Sequence, residues 1–266
     1  MTDLAIRPSA GKSLRWALSD IGTVTKRNLI RTTRVPEALF FSSLQPIMFV
    51  LLFRYVFGGA IPVQGGSYVN YLMPGIFVQT MCFGAVSTSI GLAEDLQSGL
   101  LERFRALPMS RAAVLGGRTS ADFVRNCFVI ALMTAVGLLV GFRPLPDVAA
   151  YALACLIMLL FAYALMWGFA WIGLNAANAE TAQLMSFPLL FPLTFASSAF
   201  VPVDKLPSWL QGFATHQPVS VTVNAARSLM VGGPYTNHNA EWAALAWSFG
   251  LLAVLVPLAI RSYRRA

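Results

Sequence analysis

Charge is what this chain has least of. Only 11% of its 266 side chains are charged, 57% are hydrophobic, and mean hydropathy is +0.66. That excludes an ordinary soluble domain, in which about a quarter of residues are charged, and leaves a polytopic membrane protein as the default class. Acidic residues are scarcer than basic ones, 11 against 19. The resulting net charge of +8 does not imply a nucleic-acid partner, because the basic residues sit where membrane topology places them. The three cysteines, Cys82, Cys127 and Cys155, all fall inside apolar runs, which suits packing rather than disulfides or metal ligands. His216 and His238 lack acidic or cysteine partners at ligand spacing, so no metal site is expected. Gly11-Lys12-Ser13 has the tail of a phosphate-binding loop, but Ile6 stands where the first glycine is required and no apolar strand precedes it. The chain therefore reads as having no nucleotide site of its own, and no catalytic residues. A cleavable signal peptide is also not expected, since the first 35 residues lack a continuous apolar core.

What is present is a set of long uncharged runs and one charged island. Tyr71 to Ala93 and Cys127 to Phe142 contain no charged residue. A hydrocarbon core of about 30 Å needs roughly 20 apolar helical residues to cross, so Glu94 to Arg118 reads as a loop between two spans. Arg103, Arg105, Arg111 and Arg118 mark that loop as cytoplasmic. Within it Leu100, Leu101, Phe104 and Leu107 form one apolar face of a short helix, with Glu102, Arg103 and Arg105 off it. A short amphipathic helix projecting into the cytosol suggests a docking surface for a second protein.

Six spans fit, at about 38–57, 71–93, 123–141, 149–174, 182–201 and 243–260, within one transmembrane domain covering 37–262. The predicted fold class is thus an all-α polytopic membrane protein. Seven basic residues from Arg7 to Arg34 precede the first span, and Arg261, Arg264 and Arg265 follow the last. The opposite face holds Arg143, Lys205 and Arg227, so both termini are expected in the cytoplasm. Residues 1–36 form a cytoplasmic N-terminus. In its 13–34 stretch Leu14, Ala17, Leu18, Ile21, Val24 and Leu29 share one face, and Lys12, Arg15, Lys26, Arg27, Arg31 and Arg34 the other. Such a helix is expected along the cytoplasmic leaflet, apolar face in acyl chains, with membrane lipids as its partner. The outer segment 202–240 holds apolar pieces of about ten residues broken by Pro207, Gly212 and Pro218, too short to cross and suited to re-entrant elements.

Candidate pathway residues come from the polar and adaptable side chains on span faces: Gln45 and Met48 in span one, Gln79 and Phe83 in span two, Phe187 and Phe191 in span five. Ser87 continues the Gln79–Phe83 face at a spacing of four. These offer thioether, aromatic and amide groups with no fixed charge. Gly137–Gly141 in span three and Thr80, Gly84, Thr88 and Gly91 in span two read as small packing faces. Arg54 is expected to snorkel outward, and Asp122 and Arg125 to pair near a cytoplasmic span end. With no mid-membrane carboxylate of the kind ion-coupled transporters use, the energy source is expected to be an ATPase docked at the loop.

The chain also resembles a known family, the ABC-2 type permeases, in particular the daunorubicin/doxorubicin-resistance branch. One block carrying the resemblance is Tyr71-Leu-Met-Pro-Gly-Ile-Phe-Val-Gln79, then Gly91-Leu-Ala-Glu-Asp95 and Gly99 through Arg111. The other runs from Phe187-Pro-Leu-Leu-Phe191 through Ser197-Ser-Ala-Phe-Val-Pro202, Leu206-Pro-Ser-Trp-Leu210 and Gln217-Pro218 to Ala226-Arg227. The resemblance implies two permease subunits, identical or not, each with an amphipathic connecting helix, six spans and outer re-entrant helices. Two ATP-binding subunits on separate chains, carrying ATP and Mg, would dock beneath. Leu100 to Pro108 would be the coupling helix, with Glu94 and Asp95 at the cytoplasmic end of span two. The expected cargo is an amphipathic drug-like or lipid-like molecule exported across a bacterial plasma membrane. Polysaccharide, glycolipid and lipo-oligosaccharide exporters share much of the second block and form the alternative.

Overall fold

Apolar runs and the residues that punctuate them set the order of elements. The computed structural model describes residues 10–33, 36–58, 61, 63, 67–100, 111–145 and 147–265. Among these there are helices and no strands. The helices are α1 (Ala10–Thr33), α2 (Pro36–Leu52, continued by a π turn Phe53–Phe57), α3 (Tyr68–Gln97), α4 (Arg111–Val140), α5 (Val148–Asn175), α6 (Ala179–Phe195), α7 (Ser208–His216), α8 (Pro218–Met230) and α9 (His238–Arg265). Four are long and apolar enough to cross a membrane: α3, α4 from Leu115 onward, α5 and α9. The apolar stretch Leu44–Phe57 and the 17-residue α6 are shorter.

Short polar side chains start α5 and α6. Asp147 accepts from the amides of Ala149 and Ala150 at 2.9 and 3.1 Å, and Asn178 from Thr181 at 2.7 Å. Each such cap satisfies an otherwise orphaned first-turn N–H and contributes about 1 kcal/mol. Pro218 opens α8, where its missing N–H costs nothing, and the Gln217 side chain accepts from Val219 at 3.0 Å.

α3 is the central post. Of its most apolar window 72% is buried, against 22% for α4 and 17% for α9, so α3 is enclosed by protein while those two present most of their surface outward. It packs on α5, α6, α4 and α8, and α9 closes over α5 and α8. Lipid tails are as apolar as leucine, so apolar burial alone gives such helices little reason to associate; close fit and hydrogen bonds must hold them. Close fit is visible at Gly75, where any Cβ would run into the carbonyl oxygen of Ala199. Stacked rings add to it: Phe53 lies 4.6 Å from Phe200, which lies 5.5 Å from Phe195, tying the end of α2 to the turn after α6.

The structure corrects four expectations. The island 94–118 is not loop throughout, because α3 runs on to Gln97 and α4 begins at Arg111. Asp95 in the last turn of α3 pairs with Arg118 of α4, so the charges join two helices. The fifth apolar run ends as helix at Phe195, not at 201. The backbone beyond finds other partners: Ser198 N–H donates to Ser220 Oγ, and its carbonyl accepts from Tyr71 and Arg227. Gly137 and Gly141 do not act together. Gly137 packs on Met73, whereas Gly141, at φ +104°, stops α4 and has open space around it. Finally, where the side chains of α1 are described, its apolar face packs on α4. Val24 is buried and, with Ile21, sits on Gly116 and Gly117 of α4, and Thr25 Oγ1 donates to the Gly117 carbonyl at 3.1 Å.

Candidate functional site

Three polar clusters lie along α3, and they differ in how fully their hydrogen bonds are met. The first is a crevice of about 150 Å³ between α2, α3 and α4. Gln45, Pro46 and Phe49 come from α2, Gln79, Thr80, Phe83, Gly84 and Ser87 from α3, and Arg125, Asn126 and Val129 from α4. Spacing explains the α3 contribution: Gln79, Phe83 and Ser87 recur every fourth residue and so share a face. Gln79 is 4% exposed and Asn126 2%, yet Asn126 Nδ2 has no partner, and none is found for the Gln79 or Ser87 side chains among the described residues. Phe83 packs against Phe187 and Phe191 of α6, with ring centroids 6.2 and 5.8 Å away.

Of the predicted pathway residues the structure thus brings Gln45, Gln79 and Phe83 to one crevice and sets Phe187 and Phe191 behind it. Met48 is not brought in: it is 59% exposed and absent from the lining. The crevice also carries a fixed charge that the predicted residues lack, since Arg125 lines it. Because α4 starts at Arg111, Arg125 sits midway along it and donates to the carbonyl of Gly84, itself near the middle of α3, at 2.8 Å. Asn126 was missed by sequence reasoning. The available signal was Asp122, Arg125 and Asn126 grouped within one apolar span, since polar residues at membrane depth are costly and usually functional.

The second cluster follows the α3–α4 seam. Arg118 Nη1 binds Asp95 Oδ2 at 2.8 Å, and Thr88 Oγ1 donates to Asp122 Oδ2 at 2.6 Å. Asp122 also lies 3.5 Å from Arg125. The small residues of α3 create the room. A Cβ on Gly91 would strike the Arg118 guanidinium, and one on Gly84 would crowd Asn126 at 3.1 Å. The expected packing face is therefore real, but it receives charged side chains. Charges on both sides keep each desolvated partner compensated. Glu94 is exposed, Asp95 is buried in this seam, and Leu100 is half-buried. Leu101, Glu102, Arg103, Phe104, Arg105, Leu107 and Pro108 lie outside the described residues.

The third cluster centres on Arg227 of α8, read from sequence as a residue of the outer face and found 3% exposed. Its Nε donates to the Tyr71 carbonyl at 3.1 Å, Nη1 to Asn224 Oδ1 at 2.9 Å and Nη2 to the Ser198 carbonyl at 2.9 Å. The guanidinium lies 3.7 Å from the Tyr71 ring centre and 5.8 Å from that of Tyr235. Burial is the largest influence on its pKa and lowers it, while Tyr71, Tyr235 and Tyr68 act in the other direction. Arginine nevertheless remains charged, stabilised by neutral oxygens and ring faces. Tyr71 Oη donates to the Ser198 carbonyl at 2.8 Å and Tyr68 Oη to that of Phe200 at 3.1 Å. The cluster forms one wall of a cavity of about 480 Å³ that Asp204, Lys205 and Pro202 also line. Tyr71 and Gly75, Ser198 and Ala199, and Arg227 are distant in sequence and meet here.

Residues 19–231 match the family described as ABC-2 type transporter. The chain belongs to the ABC-2 type transporter family. This ABC-2 chain is 34% identical over 96% of its length to a daunorubicin resistance ABC transporter permease protein of Streptomyces coeruleorubidus, covering 90% of that protein. It is 27% identical over 97% of its length to a probable doxorubicin resistance ABC transporter permease protein of Mycobacterium tuberculosis, covering 93% of it. A putative transport permease of Cyanophora paradoxa is 26% identical over 80% of this chain and 74% of that protein. The two sequence blocks that carried the resemblance contain the Tyr71 and Arg227 partners of the third cluster.

Proposed function

We propose that the chain is the permease subunit of an ATP-driven ABC exporter that moves amphipathic drug-like or lipid-like molecules out of the cytosol or inner leaflet. The observation that carries this reading is the end-to-end similarity to a permease named for daunorubicin resistance. In this reading α2 with its π turn, α3, α4, α5, α6 and α9 are six spans of one domain covering 37–262. Both termini then lie in the cytoplasm, and α7 and α8 dip into the outer leaflet as re-entrant helices. Residues 100–108 form the coupling helix seated in a separate ATP-binding subunit, which holds ATP and Mg. This chain binds no cofactor and catalyses no reaction itself. A second permease subunit completes the pathway.

Nucleotide binding to the partner supplies the free energy that a cargo, favouring neither state strongly, does not. The seam explains how that pull reaches the membrane. Asp95 and Arg118 flank the coupling segment on α3 and α4, so a movement of 101–110 acts on both helices at their clamped ends. From there the Asp122 and Arg125 contacts run along α4 to the crevice.

The test is ATP-driven daunorubicin uptake into inside-out proteoliposomes holding the chain with its ATPase. Uptake that requires both subunits supports the reading. Loss of surface glycan on deletion of the gene, with dye and lipid export unaffected, replaces it with the glycan-exporter alternative.

A further inference from the structure

We infer that the cavity beside Arg227 is a binding site for a phosphate monoanion, filled by the headgroup of an anionic phospholipid, with Lys205 and Asn224 as its contacts. The inference does not rest on the exporter reading, since it needs only a chain set in a membrane.

Arg227 has its hydrogen bonds met but not its charge. Its partners are neutral oxygens and ring faces, and no carboxylate lies at ion-pairing distance from it among the described residues. A buried cation without a counter-charge favours an anion nearby. The other charged groups of the lining are Asp204 and Lys205, both exposed and 3.5 Å apart. Those two offset each other, which leaves one net positive charge. Arg227 keeps all its partners and acts through its field, while other groups make the contacts. An exposed pair such as Lys205 and Asp204 is worth little, so Lys205 turns to a ligand at small cost. Asn224 adds a neutral donor. Its Oδ1 accepts from Arg227 Nη1 at 2.9 Å and from Ser198 Oγ at 3.0 Å, which fixes the orientation of the amide. Its Nδ2 makes no hydrogen bond among the described residues and, unlike Asn126 Nδ2, is not enclosed. Asn224 is half-buried and lines the cavity, so that N–H is open to a ligand oxygen.

Size, walls and depth point to the source of the anion. The volume of about 480 Å³ lies within the roughly 300–1,000 Å³ of small-molecule sites, which leaves room for the ester groups of a phosphodiester. Val63, Pro202 and Val203 add apolar wall beside the charged groups, as a phosphate joined to glycerol and acyl chains requires. The turn Val203–Lys205 packs on α7, whose Trp209 is exposed, and Trp242 near the start of α9 is exposed as well. Tryptophan favours the headgroup level of a bilayer, which sets the cavity at the depth of lipid phosphates. One net positive charge matches a headgroup of one negative charge. A zwitterionic headgroup brings in a cation that Arg227 and Lys205 repel.

The experiment uses the full chain purified in a neutral maltoside detergent, with bound lipid counted by native mass spectrometry. The probes are dihexanoylphosphatidylglycerol, dihexanoylphosphatidylcholine with the same chains, and inorganic phosphate as a competitor. The wild type should hold one phosphatidylglycerol about ten-fold more tightly than phosphatidylcholine. Lys205→Gln should bring the two lipids within about two-fold of each other, because it removes a charge-assisted hydrogen bond to the phosphate. Asp204→Asn should strengthen phosphatidylglycerol binding about three-fold, since it removes the one carboxylate of the lining. Both side chains are exposed, so neither variant should lower the melting temperature. Should Lys205→Gln fail to purify, Asp204→Asn reads the same site with the opposite sign. Displacement of the lipid by inorganic phosphate at equal concentration keeps the anion site and makes free phosphate its occupant. Equal affinity for both lipids in the wild type overturns the inference, as does a preference that survives Lys205→Gln or weakens in Asp204→Asn. Export of daunorubicin is untouched by either result, so the exporter reading stands or falls on its own test.

Discussion

The Arg227 cluster and the Gln79–Asn126 crevice are both buried and polar, and they are opposites in bookkeeping. Around Arg227 the donors and acceptors are matched: three N–H groups meet three oxygens, and two tyrosine rings cover the charge. Around the crevice the Asn126 Nδ2 is enclosed without a partner, and Gln79 lines the cavity with no protein hydrogen bond among the described residues. A matched cluster joins elements that lipid would not hold together. An unmatched one costs stability and calls for an explanation such as water or a ligand. Removing groups from the first should therefore damage the fold, and removing them from the second should damage only function.

The largest expected effect is at Arg227. Arg227→Met removes three hydrogen bonds from a charged group, each worth about 1.5 to 3 kcal/mol, so the purified complex should lose roughly 3 kcal/mol or more. Thermal unfolding in detergent should show a midpoint lower by about 6 °C or more. An unchanged midpoint would mean that the cluster holds nothing together.

Next comes the seam. Asp95→Ala strands a mostly buried Arg118 and should cost on the order of 3 kcal/mol. The exchange Asp95→Arg with Arg118→Asp should recover part of that loss and part of the ATP-driven transport. No recovery in either measurement would show that the two residues act separately.

A smaller effect is expected where backbone approaches backbone. Gly75→Ala drives a methyl group into the Ala199 carbonyl and should cost about 1–3 kcal/mol. Gly212→Ala in α7, with nothing within 4 Å of its added carbon, should stabilise by up to about 1 kcal/mol. Differential melting of the two variants checks the pair, and equal shifts would sink the close-fit explanation.

How much of this was legible in the sequence follows from the range of the forces involved. Length and lack of charge identified α3, α5 and α9, because spanning needs only an unbroken apolar run. Two short helices after Pro207 and Pro218 were equally readable, since proline marks their first turns. The start of α4 was not. Arg111 and Arg118 look like loop residues until Asp95, 23 positions earlier, is known to face Arg118. The burial of Arg227 was not legible for the same reason: its acceptor on Tyr71 lies 156 residues away. Gln79 and Phe83 were singled out by helical spacing and Gln45 as an amide in an apolar span, whereas Asn126 was hidden beside a charge pair assigned to a span end. The apolar face of α1 was visible, but nothing in its period distinguishes lipid from the Gly116–Gly117 surface as its cover.

The smallest stability effect carries the sharpest contrast. Gln79→Leu removes an amide without a protein partner from the crevice and should leave stability unchanged or raise it by up to about 1 kcal/mol. The decisive measurement is ATP-driven daunorubicin export per folded complex for this variant. The account predicts export reduced about ten-fold or more at a melting temperature that does not fall, the reverse of what a fold-holding residue such as Arg227 does. Wild-type export from Gln79→Leu would contradict it and remove the crevice from the transport path.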